Sequence, residues 1–362
     1  MMTGPENPAL PRGFPPNGKD AAATVYLRPL GSPDGFQHCE VLIRRPGGTL
    51  TVHCAKDDVV DWARAEGGAL ANHISALIGR LAAPRPPFAG LALDRPLIMG
   101  IINVTPDSFS DGGETPDTAS AVARGRAMAE AGADILDVGG ESTRPGSRPL
   151  SADEELARVV PVVRALAGDG HVVSIDSRRA RVMEAALDAG AVAVNDITAL
   201  NGDEQSLAVV AERAVPVILM HMQGRPQTMQ ENPRYDHAAL DIYDELGRRV
   251  EACLAAGIPR AAIAIDPGIG FGKTVHHNAE ILGRLSLFHG HGCAVALGVS
   301  RKSFIAALGR GEPVTDRLAG SLAAALHAVG QGVHILRVHD VAETRQAFDV
   351  WRAIEAARSP HE

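Results

Sequence analysis

Between Pro96 and Asp340 a short apolar run that stops abruptly at polar residues recurs eight times. The endings are Asn103, Asp137 with Glu141, Asp176, Asn195 with Asp196, His221, Asp266, the Ser300-Arg301-Lys302 triplet, and Arg337 with His339. Runs that are apolar almost throughout are what parallel strands buried on both faces require, and amphipathic stretches fill the gaps between them. Eight β/α units in succession predict a (β/α)8 TIM barrel, a fold that gathers its chemistry at the C-terminal strand ends. A doubly wound sheet is the alternative, but the eight units fit closure better and no G-x-G-x-x-G turn follows the first run. Strands are expected near 97–103, 133–138, 171–176, 191–195, 215–220, 262–266, 293–299 and 332–338. Ser151 and Glu154 form a capping-box pattern, Ser177 or a neighbour is placed to cap the helix after the third strand, and a helix over about 342–357 closes the barrel.

Ahead of the barrel the pattern differs. Residues 1–22 are rich in Pro, Gly and Asn and read as a disordered tail. Over 23–90 short β-prone runs, a Pro46-Gly47-Gly48 turn and a helix from about Asp57 to Leu81, weakened at Gly67-Gly68, predict a small N-terminal α+β extension or a cover for the barrel floor. The barrel itself is assigned to 91–358.

Composition bounds the partners. The formal charge of −8 is spread along the chain, which argues against a nucleic-acid surface. There is no secretory-type leader and no apolar run of membrane-spanning length, so a cytoplasmic protein with no membrane partner is expected. Cys39, Cys54, Cys253 and Cys293 have no C-x-x-C spacing and read as reduced, buried thiols. Only Lys19, Lys56, Lys273 and Lys302 are lysines among 35 basic residues, so a lysine kept inside a Gly- or Ser-rich turn suggests a need for a compact ammonium rather than a planar fork.

The loops at the strand ends carry the chemistry. NVTPDSFSDGG, from Asn103, combines oxygen donors with glycines, suited to a hard cation such as Mg²⁺ and a mobile lid; a long polar loop with no ligand is the bland alternative. DVGGESTRPG, from Asp137, joins hydroxyls and Arg144 in a manner that can clamp phosphate. Asp176, Asn195 and Asp266 can read a flat heterocycle rich in N–H donors, although Asp176 beside Ser177 also suits a helix cap. DPGIGFGKT, from Asp266, fails the Walker A pattern because Pro267 stands where its first glycine belongs. Its glycines instead allow close approach to a ligand, with Phe271 as an apolar wall. Arg301, Lys302, Arg337 and His339 follow the seventh and eighth strands, the recurrent anion site of such barrels. His276, His277, His289 and His291 stand in turn-like contexts and are assigned no catalytic role.

Taken together, NVTPDSFSDGG, DVGGESTRPG, SIDS, NDI, MHMQG, DPGIGFGKT, SRKS and RVHDV occur in the order seen in dihydropteroate synthases, and residues 96–358 resemble that family. The resemblance implies condensation of 6-hydroxymethyl-7,8-dihydropterin pyrophosphate with p-aminobenzoate, with Mg²⁺ as cofactor, an SN1-like course and a homodimer. By matching motif, it implies a pterin site of Asp176, Asn195, Met220, Asp266, Lys302 and Arg337. It implies a p-aminobenzoate site of Phe109, Thr143, Pro145, Phe271 and Ser303. Pyrophosphate falls to Asn103, Thr143, Arg144, Arg337 and His339, with Asn103 also on the metal, and the catalytic set to Asp111, Lys302, Arg337 and His339. His221 is read as secondary to Met220, so the fifth strand is expected to contribute least. Two other readings stand beside this one: a pterin-binding methyltransferase on the same barrel, and a catalytically silent paralogue that serves as an assembly partner. The first has no pyrophosphate to stabilise, which leaves Asn103 and the Arg337-His339 pair without a purpose. The second leaves the intact motifs without one.

Overall fold

The protein is described by a computed structural model covering residues 24–31, 33, 35–104, 118–142 and 150–358. The expected tail over 1–22 therefore lies outside the described residues. The chain divides into two compact units, one running up to Pro84 and including Ser286–Gly292, the other holding the rest.

In the first unit β1 (Thr24–Pro29), β2 (His38–Arg45) and β3 (Gly48–Ala55) form an antiparallel sheet in that order, followed by α1 (Lys56–Glu66) and α2 (Gly68–Ala82). Alternation along β2 sends Cys39, Val41 and Ile43 into one apolar core with Trp62 of α1 and Ile74, Leu77 and Leu81 of α2. The single helix expected here is two, because Gly67 and Gly68 adopt φ of 69° and 57°, a left-handed conformation that interrupts helical hydrogen bonding. Ser286 Oγ donates to Pro29 O at 2.8 Å, tying the distant segment 286–292 into this unit. Cys39 and Cys54 are cross-strand partners, and all four cysteines are free thiols.

The second unit is a closed parallel barrel of β4 (Leu97–Asn103), β5 (Ile135–Gly139), β6 (Val173–Asp176), β7 (Ala193–Asp196), β8 (Val217–Met220), β9 (Ile263–Asp266), β10 (Ala294–Gly298) and β11 (Ile335–Val338). Helices α3 (Thr118–Glu130), α4 (Ala152–Gly168), α5 (Ala180–Asp188), α6 (Ser206–Arg213), α7 (Ala238–Ala255), α8 (Val275–Leu282), α9 (Ser303–Leu308), α10 (Leu318–Gly330) and α11 (Val341–Arg358) alternate with the strands. The Ser151–Glu154 capping box forms as expected. The cap after β6 does not fall to Ser177 alone. Ser177 Oγ accepts only the Arg179 amide, whereas the first amide of α5, Ala180 N, is bound at 3.0 Å by Asp203, a residue brought there by the following β/α unit.

The barrel floor explains how the site is aimed. Phe88 is fully buried among Leu97, Met99, Ile135, Ala193, Ile218, Ala264, Ala294, Ala296 and Ile335. Its amide and carbonyl both pair with Leu91 at 2.9 Å, so a tight bridge presents the ring to a layer that includes four alanines. Strand side chains alternate, so a step of two from each floor residue points into the barrel again. That step leads from Ile135 to Asp137, from Ala193 to Asn195, from Ile218 to Met220, from Ala264 to Asp266 and from Ile335 to Arg337. The plug below thus sets the side of the strands on which the polar cluster above must lie. Phe88→Ala is expected to lower stability by about 3–5 kcal/mol through loss of buried area and a residual cavity, read by urea denaturation with an unchanged m-value. A loss under about 1 kcal/mol would mean the floor collapses onto the gap.

Candidate active site

Arg337 and Asp137 form the centre of the polar cluster. Arg337 Nε donates to Asp137 Oδ2 at 2.6 Å, and its Nη2 donates to Asp176 Oδ2 at 2.6 Å. Asp137, 0% exposed, also accepts from Ser174 Oγ at 2.5 Å and Asn195 Nδ2 at 3.0 Å. Four strands, β5, β6, β7 and β11, are therefore joined through one carboxylate and one guanidinium. Two carboxylates share one cation, which leaves a negative charge in a buried place. Burial pushes the Asp176 carboxyl up to about 7; Arg337 opposes the shift and Asp137 reinforces it. Burial also works against the charge on Arg337, but Asp137 and Asp176 outweigh it and keep the guanidinium protonated.

Asp137 was visible as a strand ending, yet the family pattern assigns it no role. Its parity with the floor residue Ile135 is the signal that finds it, since a carboxylate on the inner face of a strand needs partners inside the barrel. The same geometry changes the reading of the anion site. Arg337 is engaged by two carboxylates. Arg301, at φ 58°, is engaged by Asp340, with Nε–Oδ2 at 2.9 Å and a second, shorter contact from Nη2. The strand ends after β10 and β11 therefore do not present two free guanidinia. His339 completes this corner, its amide and Nδ1 lying 3.2 and 3.0 Å from Ser300 Oγ.

Beside Arg337 stands Lys302, the residue before α9. Its Nζ donates to Ile269 O at 2.5 Å and lies 4.7 Å from the centre of the Phe271 ring. Burial lowers the Lys302 ammonium to about 8, Asp266 opposing and Arg337 reinforcing the shift. Burial likewise raises Asp266, against the pull of Lys302 and of the Gly268 amide, which donates to Oδ1 at 2.7 Å. Asn195, Met220 and Asp266 are buried beside this pair. Ser303 opens α9 next to Lys302 and is exposed. The structure thus brings together Asp176, Asn195, Met220, Asp266, Phe271, Lys302 and Arg337 on adjoining strand ends and loops. Asn103 ends β4 as the register partner of Gly139, and Arg124 Nη2 donates to its carbonyl at 2.8 Å.

Phe109 and Asp111 in the first loop, and Thr143, Arg144 and Pro145 in the second, lie outside the described residues. The ends of the second loop are described. Glu141 accepts from Arg178 Nε at 3.2 Å, from both terminal nitrogens of Arg179 at 3.0 and 3.1 Å, and from Leu150 N at 3.2 Å. Arg179 Nη2 in turn donates to Leu150 O at 2.6 Å. Glu141 and Arg179 are therefore a staple across that loop.

The histidine just past the fifth barrel strand has partners of its own. His221, just past β8, is buried, with Nδ1 at 3.0 Å from Lys273 Nζ and Nε2 at 3.2 Å from Glu245 Oε2. With Lys273 Nζ as the donor, Nδ1 is the acceptor of that hydrogen bond and Nε2 carries the hydrogen given to Glu245. A cavity of ≈490 Å³ has Met220, His221, Arg225 and Glu245 in its wall.

Among the described residues no group of three or more His, Cys, Asp and Glu side chains is arranged to hold a metal ion. Among them, also, no helix is long and apolar enough to cross a membrane.

The site has counterparts of known identity. Residues 99–339 match the family model described as pterin binding enzyme. The Escherichia coli K12 dihydropteroate synthase is 46% identical over 277 residues, covering 75% of this chain and 95% of that one. The Haemophilus influenzae dihydropteroate synthase is 46% identical over 264 residues, covering 73% and 95%. Among solved structures, the Xanthomonas albilineans dihydropteroate synthase with 4-aminobenzoic acid superposes with a TM-score of 0.71 at 45% identity, covering 76% of this chain and 99% of the other. The same enzyme in complex with 7,8-dihydropteroate gives 0.67 at 43% identity, covering 74% and 96%. With the family model spanning the barrel strands and relatives matched over nearly their full length, the chain belongs to the dihydropteroate synthase family of pterin-binding enzymes.

Proposed function

We propose that the barrel joins 6-hydroxymethyl-7,8-dihydropterin pyrophosphate to p-aminobenzoate, giving 7,8-dihydropteroate and pyrophosphate, with its own residues in the following roles. The observation that carries the reading is the set of buried Asn195 and Asp266 with half-buried Asp176 and Lys302 beside Arg337. It offers carboxylate and amide acceptors to ring N–H groups and one ammonium to a ring acceptor. The residual negative charge of this set favours a pterin whose methylene becomes cationic as the C–O bond to pyrophosphate breaks and the leaving group takes the electron pair. The arylamine nitrogen then adds to the methylene carbon and loses a proton to solvent. An arylamine needs no strong activating base. Phe271 and Ser303, flanking Lys302, are assigned to p-aminobenzoate, and His339 to the pyrophosphate side.

A Mg²⁺ ion suits the donors available. Asn103, at the strand end, would hold the ion through its amide oxygen. When bound, the ion supplies charge neutralisation to the leaving pyrophosphate. A homodimer and a cytoplasmic location complete the reading. The dimer draws support from an apolar groove of ≈360 Å³ lined by Leu282, Phe304, Ile305 and Leu308, in which Leu308 is 59% exposed. Sedimentation equilibrium decides it.

The deciding assay is release of pyrophosphate that requires both p-aminobenzoate and Mg²⁺. Well-folded protein giving none above blank would overturn the reading. Pterin affinity is expected to peak between pH of about 7 and about 8. Below that window Asp176 takes up a proton and loses its charge as an acceptor; above it Lys302 loses one and its charge as a donor. In Asp176→Asn the acid limb should vanish while the alkaline limb stays, as calorimetry across pH 5.5–9.5 on the order of half-unit steps can show. The stability sign is opposite on the acid side. The folded chain holds the Asp176 proton to higher pH than the unfolded chain, so this contribution is full at low pH and is lost as pH rises through about 7.

A further inference from the structure

The loop after β9 carries Phe271 and the Ile269 carbonyl that grips Lys302; Asn278 Oδ1 of α8 accepts from its Gly270 amide at 2.8 Å, and its other side packs closely on the segment after β8. A Cβ on Gly268, at φ +68°, would meet His221 O at 1.9 Å, and one on Gly272, at φ +61°, would meet Gln223 O at 2.4 Å. Only glycine permits so close an approach of the two backbones. Across that contact run side-chain bonds. Lys273 Nζ donates to Phe271 O at 2.9 Å, His221 O at 3.3 Å and His221 Nδ1 at 3.0 Å. Gln230 Nε2 donates to Gly270 O at 2.6 Å, and Tyr235 Oη donates to Gly272 O at 2.8 Å. Lys273 is itself buried, so its ammonium serves the backbone and does not reach the open mouth.

We propose that Lys273, His221 and Gln230 are positioning residues that fix the β9 loop for p-aminobenzoate, acting through Phe271 without touching either substrate. This rests on the synthase reading above. Lys273 fits the role because an ammonium directs its donors to three acceptors at once from a compact centre, which the planar fork of Arg does not reproduce. Removal of the ammonium leaves two buried carbonyls and Nδ1 without a donor, and the loop must shift to find solvent. Burial lowers the Lys273 proton affinity well below the usual lysine range, and nearby Lys302 reinforces this while Asp266 opposes it. The hydrogen bonds to His221 and Phe271 are the geometry that holds the group there.

Steady-state kinetics with both substrates varied test the proposal, with wild-type pyrophosphate release measured first as the check on the synthase reading itself. In Lys273→Met the KM for p-aminobenzoate should rise about tenfold, with the pterin dissociation constant raised by less than about threefold, because Asp176, Asn195 and Asp266 stand on strands and the loop reaches the pterin site only through the Ile269 contact to Lys302. His221→Leu should behave like Lys273→Met. His221→Asn, whose amide oxygen takes the place of Nδ1, should stay within about twofold of wild type. Gln230→Leu alters an exposed side chain that does not threaten folding, and should raise the same KM by about threefold. That variant decides the matter if Lys273→Met fails to fold. An unchanged p-aminobenzoate KM in the folded variants of an active enzyme overturns the proposal. So does a rise matched by equal loss of pterin affinity.

Discussion

Arg337→Met should reduce kcat/KM by about a thousandfold, equivalent to roughly 4 kcal/mol of transition-state stabilisation, and should also cost about 3–5 kcal/mol of stability. Both effects come from one contact. The guanidinium spans Asp137 and Asp176 at 2.6 Å each, and its loss leaves two buried carboxylates facing one another. One of them must then take a proton, and Asp176, whose carboxyl burial already pushes up to about 7, is placed to do so. The pterin acceptor would be neutralised along with the strand-end brace. Arg337→Lys is expected to rescue little, since one ammonium cannot serve two carboxylates in the planar, forked geometry seen here. Pyrophosphate release and urea denaturation measure the two losses. Wild-type turnover in a stable Arg337→Met protein would remove Arg337 from the mechanism.

Lys302→Arg should lower turnover by about a hundredfold although the charge is kept. The reason is room. Nζ is bound to Ile269 O at 2.5 Å and faces the Phe271 ring at 4.7 Å, while a Cβ on Gly298 would lie 3.5 Å from it. A guanidinium is wider than the ammonium it replaces and would displace the Ile269 carbonyl, Phe271 or both. Lys302→Met, which keeps the length but not the charge, should weaken pterin binding and leave the Ile269 carbonyl without this donor. Equal turnover of the Arg variant would mean that the scarcity of lysine in this chain carries no information at this position.

The fold was legible because its signal is repetition. Each barrel strand lies within three residues of its predicted bounds, since a parallel strand buried on both faces leaves an apolar run wherever it occurs. The N-terminal helix was misread as one because propensity weakens gradually at a glycine pair, whereas positive φ at both residues ends the helix outright. For the site, the motifs named Asp176, Asn195, Met220, Asp266, Phe271, Lys302 and Arg337, and these do converge. The motifs could not say who partners whom. Arg301 and Arg337 were read as cations available for an anion, but both meet carboxylates. His221 was read as secondary, yet with Lys273 it anchors the neighbouring loop.

By itself the order of residues determined the number of strands, the end of the barrel that carries chemistry and the types of group gathered there. These follow from local periodicity, which needs no knowledge of the rest of the chain. Only the tertiary structure decided that Asp137 is the fully buried hub, that Arg337 is shared between two carboxylates, and that Lys273 serves a backbone rather than a ligand. Those outcomes depend on pairings across as many as 200 positions of sequence, as between Asp137 and Arg337. Closure of the barrel makes such residues neighbours, and burial makes their charges seek each other instead of water.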